Sequence, residues 1–352
     1  MFVPKYTITN KLLAQIKQIN SLINQLNQQH FPQVILAEFE KTARSISTFA
    51  STSIEGNPLP LTEVKKILKN QPQPQLQPQH LRDSEKEVLN YNQALQDLDQ
   101  QLFKGQIKFD LKLILKIQGQ VTKDLLPPHQ INTLRQEPVV IRNAQTRQII
   151  FMPPDVKDVK TLMKELINFV NKNQGKIDTL ILAGIFHKQF VIIHPFMDGN
   201  GRTTRLATKF LLAQLGLNTF NLFSFENYYN QNVTRYFQQV GELGDYYDLN
   251  KLDFTTWLEY FAEGIIDELM RVQKVFPQSN QGPSSQLKDY HKKILKFIQR
   301  QGFITDHDYA QLVERAKSTR AKDFSKLIEL GLIERKGQGR ATYYVNVALA
   351  EK

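Results

Sequence analysis

Twelve residues, His194-Pro195-Phe196-Met197-Asp198-Gly199-Asn200-Gly201-Arg202-Thr203-Thr204-Arg205, leave the chain little conformational choice. Pro195 ends the apolar helical stretch before it, because the residue preceding a proline is pushed out of the helical region. Gly199 and Gly201 admit backbone angles that side chains resist. Successive N–H groups can then point one way and form a nest for an anion. A helix starts there, and its unpaired N–H groups and dipole add to the same site. Arg202 and Arg205 are three apart and are expected on one helix face above the nest, where two guanidinium groups suit a polyphosphate. Asp198 offers a hard oxygen to magnesium, an ion that bridges phosphates and one or two carboxylates. His194 stands at the rim of the loop, and its near-neutral pKa suits it to take a proton from an attacking hydroxyl.

Around this loop the apolar residues recur at helical spacing, so the fold class expected is mainly α. Helical pattern covers residues 8–70, 82–102, 110–125, 156–172, 177–193 and 201–215, and continues to about 275. One stretch differs. Val139, Val140 and Ile141 lead into the polar 143–146, and Gln148-Ile149-Ile150-Phe151 follows, which predicts a small β-hairpin stopped by Pro153 and Pro154. Residues 71–79 (QPQPQLQPQ) cannot be helix and read as an extended linker. A second linker, 277–285, separates a small unit of three helical patterns and a hairpin, the order of a winged helix-turn-helix. The expected organisation is an N-terminal helical region at 1–80, a core at 81–276, the linker, and the winged unit at 286–352.

With 352 residues the chain suits two or three domains. It has no cysteine, which excludes disulfides, thiolate zinc sites and a cysteine nucleophile. No apolar run reaches membrane-spanning length and the first ten residues lack a signal-peptide core, so a cytoplasmic protein without a membrane partner is expected. The formal charge of +11 favours anionic partners.

The loop resembles the signature of the Fic family, HPFx(D/E)GNGRxxR, at every specified position. Phe186-His187, Phe190 and Ile193 resemble the helix that precedes it. The resemblance covers roughly residues 1–275 and implies a mostly helical Fic core with a small hairpin flap. It also implies roles: His194 as general base, Asp198 as the Mg2+ ligand, Gly199, Asn200 and Gly201 as the phosphate nest, Arg202 and Arg205 as clamps on the distal phosphates. Thr203 and Thr204, two of the three unspecified positions, fall within the same nucleotide site. His187, seven residues before His194, is expected to pack or orient the helix rather than to bind a metal.

Upstream, Gly56 and Pro58 stop the helix that begins near Val34. Glu55 thus lies at its negative end, an unfavourable place for an anion worth ~0.3–1 kcal/mol. Ser51, Glu55 and Gly56 resemble the Fic inhibitory motif (S/T)xxxE(G/N), whose glutamate pairs with the second motif arginine, here Arg205, and takes the place of the γ-phosphate. The hairpin resembles the flap on which a target is laid, its open edge suiting an extended segment; Ile149 and Ile150 are alternatively core. The stretch 230–237 resembles the element lining the base pocket, where Gln231 could bond the base and Tyr236 could stack on it or lie in the core.

The resemblance implies transfer of AMP from ATP, with Mg2+, to a hydroxyl of a target protein or of the chain itself, restrained by Glu55. Transfer of UMP, phosphocholine or phosphate is the alternative within the family, since the loop reads phosphates and not the base. A DNA-binding regulator with a nucleotide-sensing domain is the alternative from another class. Lys317, Arg320, Lys322 and Lys326 on the third helix of the winged unit, with Arg335, Lys336 and Arg340 on the wing, suit DNA phosphates or a solvated basic face. The oligomeric state stays open, a homodimer included.

Overall fold

The segment Thr179–Ile193 (TLILAGIFHKQFVII) is apolar all round, and a helix of that kind belongs in the middle of a structure. In the computed structural model it is helix and is buried at nearly every position. The structure describes residues 2–29, 33–70, 81–104, 108–143, 146–249, 252–275, 287–329, 332–339 and 342–346. The two proline-containing linkers read from the sequence, and part of the hairpin turn, lie outside those residues.

In chain order the elements are α1 (Asn10–Asn27), α2 (Gln33–Ile54), α3 (Leu61–Lys69), α4 (Asp83–Lys104), α5 (Leu111–Val121), β1 (Ile141–Arg142), β2 (Ile149–Met152), α6 (Val156–Asn173), α7 (Thr179–Ile193) and α8 (Asn200–Leu212). Then follow α9 (Glu226–Gln231), α10 (Val233–Val240), β3 (Gly244–Asp245) and α11 (Thr255–Val275). The mainly helical class read from the sequence holds. Helix starts follow local chemistry: the Thr9, Asp110 and Asp178 side chains accept from the N–H groups of Leu12, Leu113 and Leu180, which satisfies first-turn donors that have no partner inside the helix.

The chain divides into two compact units, one of Met1–Gln28 with Glu40–Val272 and one of Gln29–Phe39 with Gln273–Lys352. The first unit therefore includes α1, most of α2 and nearly all of the core expected at 81–276. Within it α7 packs against α6 and α8, and α8 also packs against α4 and α5. Trp257 of α11 donates from Nε1 to the Gly184 carbonyl at 2.7 Å, fixing α11 across α7.

The predicted hairpin is present, as antiparallel pairing of Ile141 with Phe151 and Arg142 with Ile149. A third strand was not expected: β3 pairs parallel to β2, Phe151 opposite Gly244. That occupies the β2 side and leaves β1 at the other edge of the sheet. Phe151 is buried, whereas Val140, Ile149 and Met152 are exposed, so the core alternative does not hold for Ile149.

The second unit contains α12 (Asp289–Gln301), β4 (Phe303–Ile304), α13 (Asp306–Leu312), α14 (Lys317–Glu329), β5 (Ile333–Lys336) and β6 (Tyr343–Asn346). Its strands pair in the order β4-β6-β5, all antiparallel. Among the described residues it has three helices, a short strand after the first and a closing hairpin, the element order expected from the sequence. Ile294, Ile298, Ile304, Tyr309, Phe324, Leu327 and Ile333 form its own core. Among the described residues no helix is long and apolar enough to cross a membrane.

Candidate active site

Residue His194 closes α7 in a left-handed conformation, φ 48° and ψ 62°. Its N–H donates to Phe190 O at 3.0 Å, and the chain then turns through the loop to α8. Asn200 shapes that loop: its Oδ1 accepts from Phe196 N–H and its Nδ2 donates to Phe196 O, both at 2.9 Å. Gly199 caps α8 at φ 81° with no side chain to bond the first amides, so they stay available to an anion at the positive end of the helix.

The two glycines act differently. Gly199 supplies the positive φ that the sequence predicted. Gly201 is an ordinary helical residue, and what it supplies is space. A Cβ there would lie 2.0 Å from Glu55 Oε1. The Glu55 carboxylate thus rests directly against the start of α8. It lies one residue beyond the end of α2, where the helix dipole repels it, and is received by the dipole of another helix, where an anion is stabilised.

Arg205 completes this contact. It is fully buried. Nη2 donates to Glu55 Oε1 and to Ser51 O, and Nε donates to Ser51 Oγ, each at 2.7 Å. Burial alone would weaken the hold of the guanidinium on its proton, but Glu55 beside it, with Tyr236 and Tyr91, more than reverses this, so Arg205 is raised above the ordinary arginine value. Ser51, Glu55 and Arg205, named from sequence alone, are brought together. Behind Ser51 the Tyr91 hydroxyl donates to buried Glu226 at 3.0 Å, a support that no motif announced.

Arg202 does not share partners with Arg205. Its Nη2 donates to Asp198 Oδ2 at 2.7 Å, and its Nη1 lies 3.5 Å from Glu87 and donates to Val121 O at 3.4 Å. The shared face expected from three-residue spacing divides. Buried arginines turn to whatever acceptor the neighbouring helices offer, here α4 and α5 for one and α2 for the other. Thr203 and Thr204 are fully buried, and Thr204 donates to Asn200 O of its own helix at 2.7 Å, so its hydroxyl is spent on α8 rather than on a ligand.

The His194 imidazole is partly exposed. Its Nδ1 lies 3.4 Å from Val191 O. Desolvation by the surrounding protein pushes its pKa down to about 4; the Val191 carbonyl and the Glu55 carboxylate push the other way, and Arg135 assists the fall. A neutral ring can accept a proton at neutral pH. Asp198 has a half-exposed carboxylate, 50% accessible. Among the described residues no group of three His, Cys, Asp or Glu side chains could hold a metal by itself. One open carboxylate fits an ion whose remaining ligands are phosphate oxygens and water.

Three expectations change or sharpen. Tyr236 lies in the core. It is 1% exposed, its ring stacks on Tyr229 with centroids 5.0 Å apart, and its hydroxyl is 2.8 Å from His187 Nε2. With one face on Tyr229 and almost no accessible surface, the ring takes the core place that was one of its two readings. Gln231 ends α9 in an exposed position. The stretch 230–237 is divided at Asn232, whose side chain caps α10 by accepting from Arg235 N–H. His187 packs as expected, fully buried between Thr208 and Tyr236, and burial with Arg205 nearby holds it well below the ordinary histidine range.

In the second unit Arg320 is committed within the fold. Its Nε and Nη2 donate to Asp306 at 2.9 and 2.8 Å. Lys317, Lys322 and Lys326 of α14 are exposed. Arg335 bonds Thr342, Lys336 bonds Glu334, and Arg340 lies outside the described residues.

Comparison with known proteins agrees with this geometry. Residues 108–212 match the model of the Fic/DOC family. The chain is 25% identical over 214 residues to protein adenylyltransferase fic-1 of Caenorhabditis elegans and 26% identical over 196 residues to protein adenylyltransferase Fic of Drosophila grimshawi. These alignments cover 59% and 54% of this chain but only 39% and 37% of the relatives, so the chain spans well under half of their length. The fold is similar to that of a Fic family protein from Desulfovibrio desulfuricans, with a TM-score of 0.64 at 19% identity over all of both chains. It is also similar to a C. elegans Fic-1 fragment, with a TM-score of 0.58 at 19% identity over 75% of this chain and 72% of that one.

Proposed function

We propose that the chain, whose residues 108–212 match the Fic/DOC family model, transfers AMP from ATP to a hydroxyl of a target protein, itself included, under restraint by Glu55. The observation that carries this reading is the seat of the Glu55 carboxylate, against Gly201 at the start of α8 and on Arg205. A side-chain anion holds the place that α8 and Arg205 suit to a phosphate.

In this reading the α8 amides and Arg205 hold the distal phosphates, with Arg202 alongside Asp198. Asp198 would hold Mg2+, which would supply neutralisation of phosphate charge. Neutral His194 takes the proton of the target hydroxyl as its oxygen bonds to the α-phosphorus. The bond from that phosphorus to the bridging oxygen breaks, and pyrophosphate leaves. Placement and charge compensation supply most of the acceleration, as in other phosphoryl transfers. Glu55 excludes the γ-phosphate and thereby spoils the line of attack. The target lies along the β1 edge of the flap, where main-chain groups and the exposed Val140 and Ile149 meet an extended segment.

Label transfer from α-³²P-ATP with magnesium tests this, using wild type, Glu55→Gly and Glu55→Gly/His194→Ala. Protein-bound label in Glu55→Gly that vanishes in the double variant is expected. Competition by unlabelled UTP in place of ATP would move the assignment to another transfer of the same family. The second unit we read as a DNA-binding module acting through Lys317, Lys322 and Lys326. A duplex-DNA shift by the full chain that weakens steeply with salt is the expected result.

A further inference from the structure

One buried cation lies outside the phosphate site and joins three segments around it. Arg135, in the loop between α5 and β1, is 2% exposed. Its Nε donates to His194 O at 2.9 Å, its Nη1 to Glu137 O at 3.2 Å, and its Nη2 to Pro154 O. Its main-chain N–H donates to Pro195 O at 2.9 Å. Among the described residues no carboxylate pairs with it; Asp155 and the Tyr247 hydroxyl act on it only at longer range. Burying a guanidinium without a counter-charge is costly, and packing alone is a poor reason to keep one.

The three acceptors show what it does. Glu137 precedes β1 and Pro154 follows β2, so two bonds grip both roots of the hairpin. The third grips His194, which holds a left-handed φ of 48°. Such a conformation is uncommon for a residue with a side chain and persists where its surroundings over-determine it. Here Phe190 O fixes the His194 N–H, Arg135 Nε fixes the His194 carbonyl, and the Arg135 N–H fixes the next carbonyl. A planar, rigid fork of donors suits this task; a single ammonium does not.

We propose that Arg135 is the positioning residue for the His194 base, locking the turn that aims the imidazole from the roots of the hairpin, so that the base and the strand edge that receives the target share one frame. This rests on the transfer reading above. Arg135 makes no hydrogen bond to the α8 amides, Arg202, Arg205 or Asp198, so its loss acts on turnover and leaves nucleotide binding in place. The charged groups acting on the imidazole are Glu55, Asp198 and Arg135 itself.

The test uses the full chain carrying Glu55→Gly, with Arg135→Gln and Arg135→Lys added separately. Label-transfer kinetics, thermal melting and hydrogen–deuterium exchange of segments 141–152 and 194–201 are measured. Both variants are expected to lose at least ten-fold in kcat, with KM for ATP within two-fold of the parent and faster exchange in both segments together. Arg135→Lys keeps the charge and serves should Arg135→Gln fail to fold; its loss of kcat with a native melting transition supports positioning over bulk stability. A natively melting variant with kcat within three-fold of the parent, or a loss confined to KM, overturns the proposal. A parent that transfers no label refutes the transfer reading, and exchange then decides for Arg135 alone: a joint rise in both segments supports it and unchanged exchange overturns it.

Discussion

Helices α8 and α14 invite comparison because each has 13 residues and carries several basic side chains. In α8 every residue except Gly201 is buried, Arg202, Arg205 and Lys209 included. Their partners come from elsewhere in the first unit: Asp198 and Val121 for Arg202, Ser51 and Glu55 for Arg205, and Phe223 O for Lys209. In α14 the buried residues are Asp323, Phe324 and Leu327, on one stripe, and the lysines face outward. The difference teaches how much each set of charges depends on the fold. A buried cation persists only with its partners in place, so the chemistry of α8 and its packing are one arrangement. Lys317 and Lys322 of α14 are exposed, and their presence specifies correspondingly little.

The largest expected effect comes from treating α8 like a surface helix. Arg205→Met removes the donor of Ser51 Oγ, Ser51 O and Glu55, and should cost about 3 kcal/mol in urea unfolding, in the range for breaking a buried ionic pair. It should also abolish label transfer in the Glu55→Gly background. A variant as stable as wild type would end the contrast with α14.

Acid should act next. The folded state holds His194 at about 4, below the ordinary 6.5. Between those values the unfolded chain binds a proton that the folded chain refuses, so stability falls as pH falls through that window and is fully present above it. The slope is at most about 1.4 kcal/mol per pH unit for one such group. Denaturant unfolding at stepped pH should show a shallower slope in His194→Gln.

Gly201→Ala sharpens the comparison further, because a single methyl must displace Glu55. The expected cost is about 1–2 kcal/mol from overpacking. Most of it should disappear when Glu55→Gly is present, giving a coupling of at least ~1 kcal/mol in a double-mutant cycle. Additive effects would show that the carboxylate does not rest there.

The smallest effect belongs to α14. Lys322→Ala should leave unfolding within ~0.5 kcal/mol of wild type while lowering the salt dependence of DNA binding by roughly one phosphate contact. A large loss of stability would mean that this face is structural after all.

Much of the site was legible because its determinants are local. Pro195 had to end α7, Gly199 had to supply a positive φ, and an uncapped helix start had to attract an anion, all within a dozen residues. The place of Glu55 was legible too, since Gly56 fixes where α2 ends and hence where that carboxylate must stand. Tyr236 was left between core and base pocket, because an aromatic ring at helical spacing carries no mark of which it serves. Arg202 and Arg205 were expected on one face because spacing along a helix says where a side chain leaves the axis, not which acceptor it finds.

By itself, then, the sequence determined the loop, the helical class, the hairpin and the motif that places a glutamate ahead of the core. Only the tertiary structure decided that β3 closes one edge of the flap, that Arg202 and Arg205 part company, and that Arg135 ties His194 to the hairpin. The physical reason is range. Backbone preference and hydrophobic period act over a few neighbours, whereas Ser51 and Arg205 are 154 positions apart and Arg135 and His194 are 59 apart. Contacts at that separation exist because packed helices bring them together, and among buried polar groups the pairing is set by which donors and acceptors meet away from water.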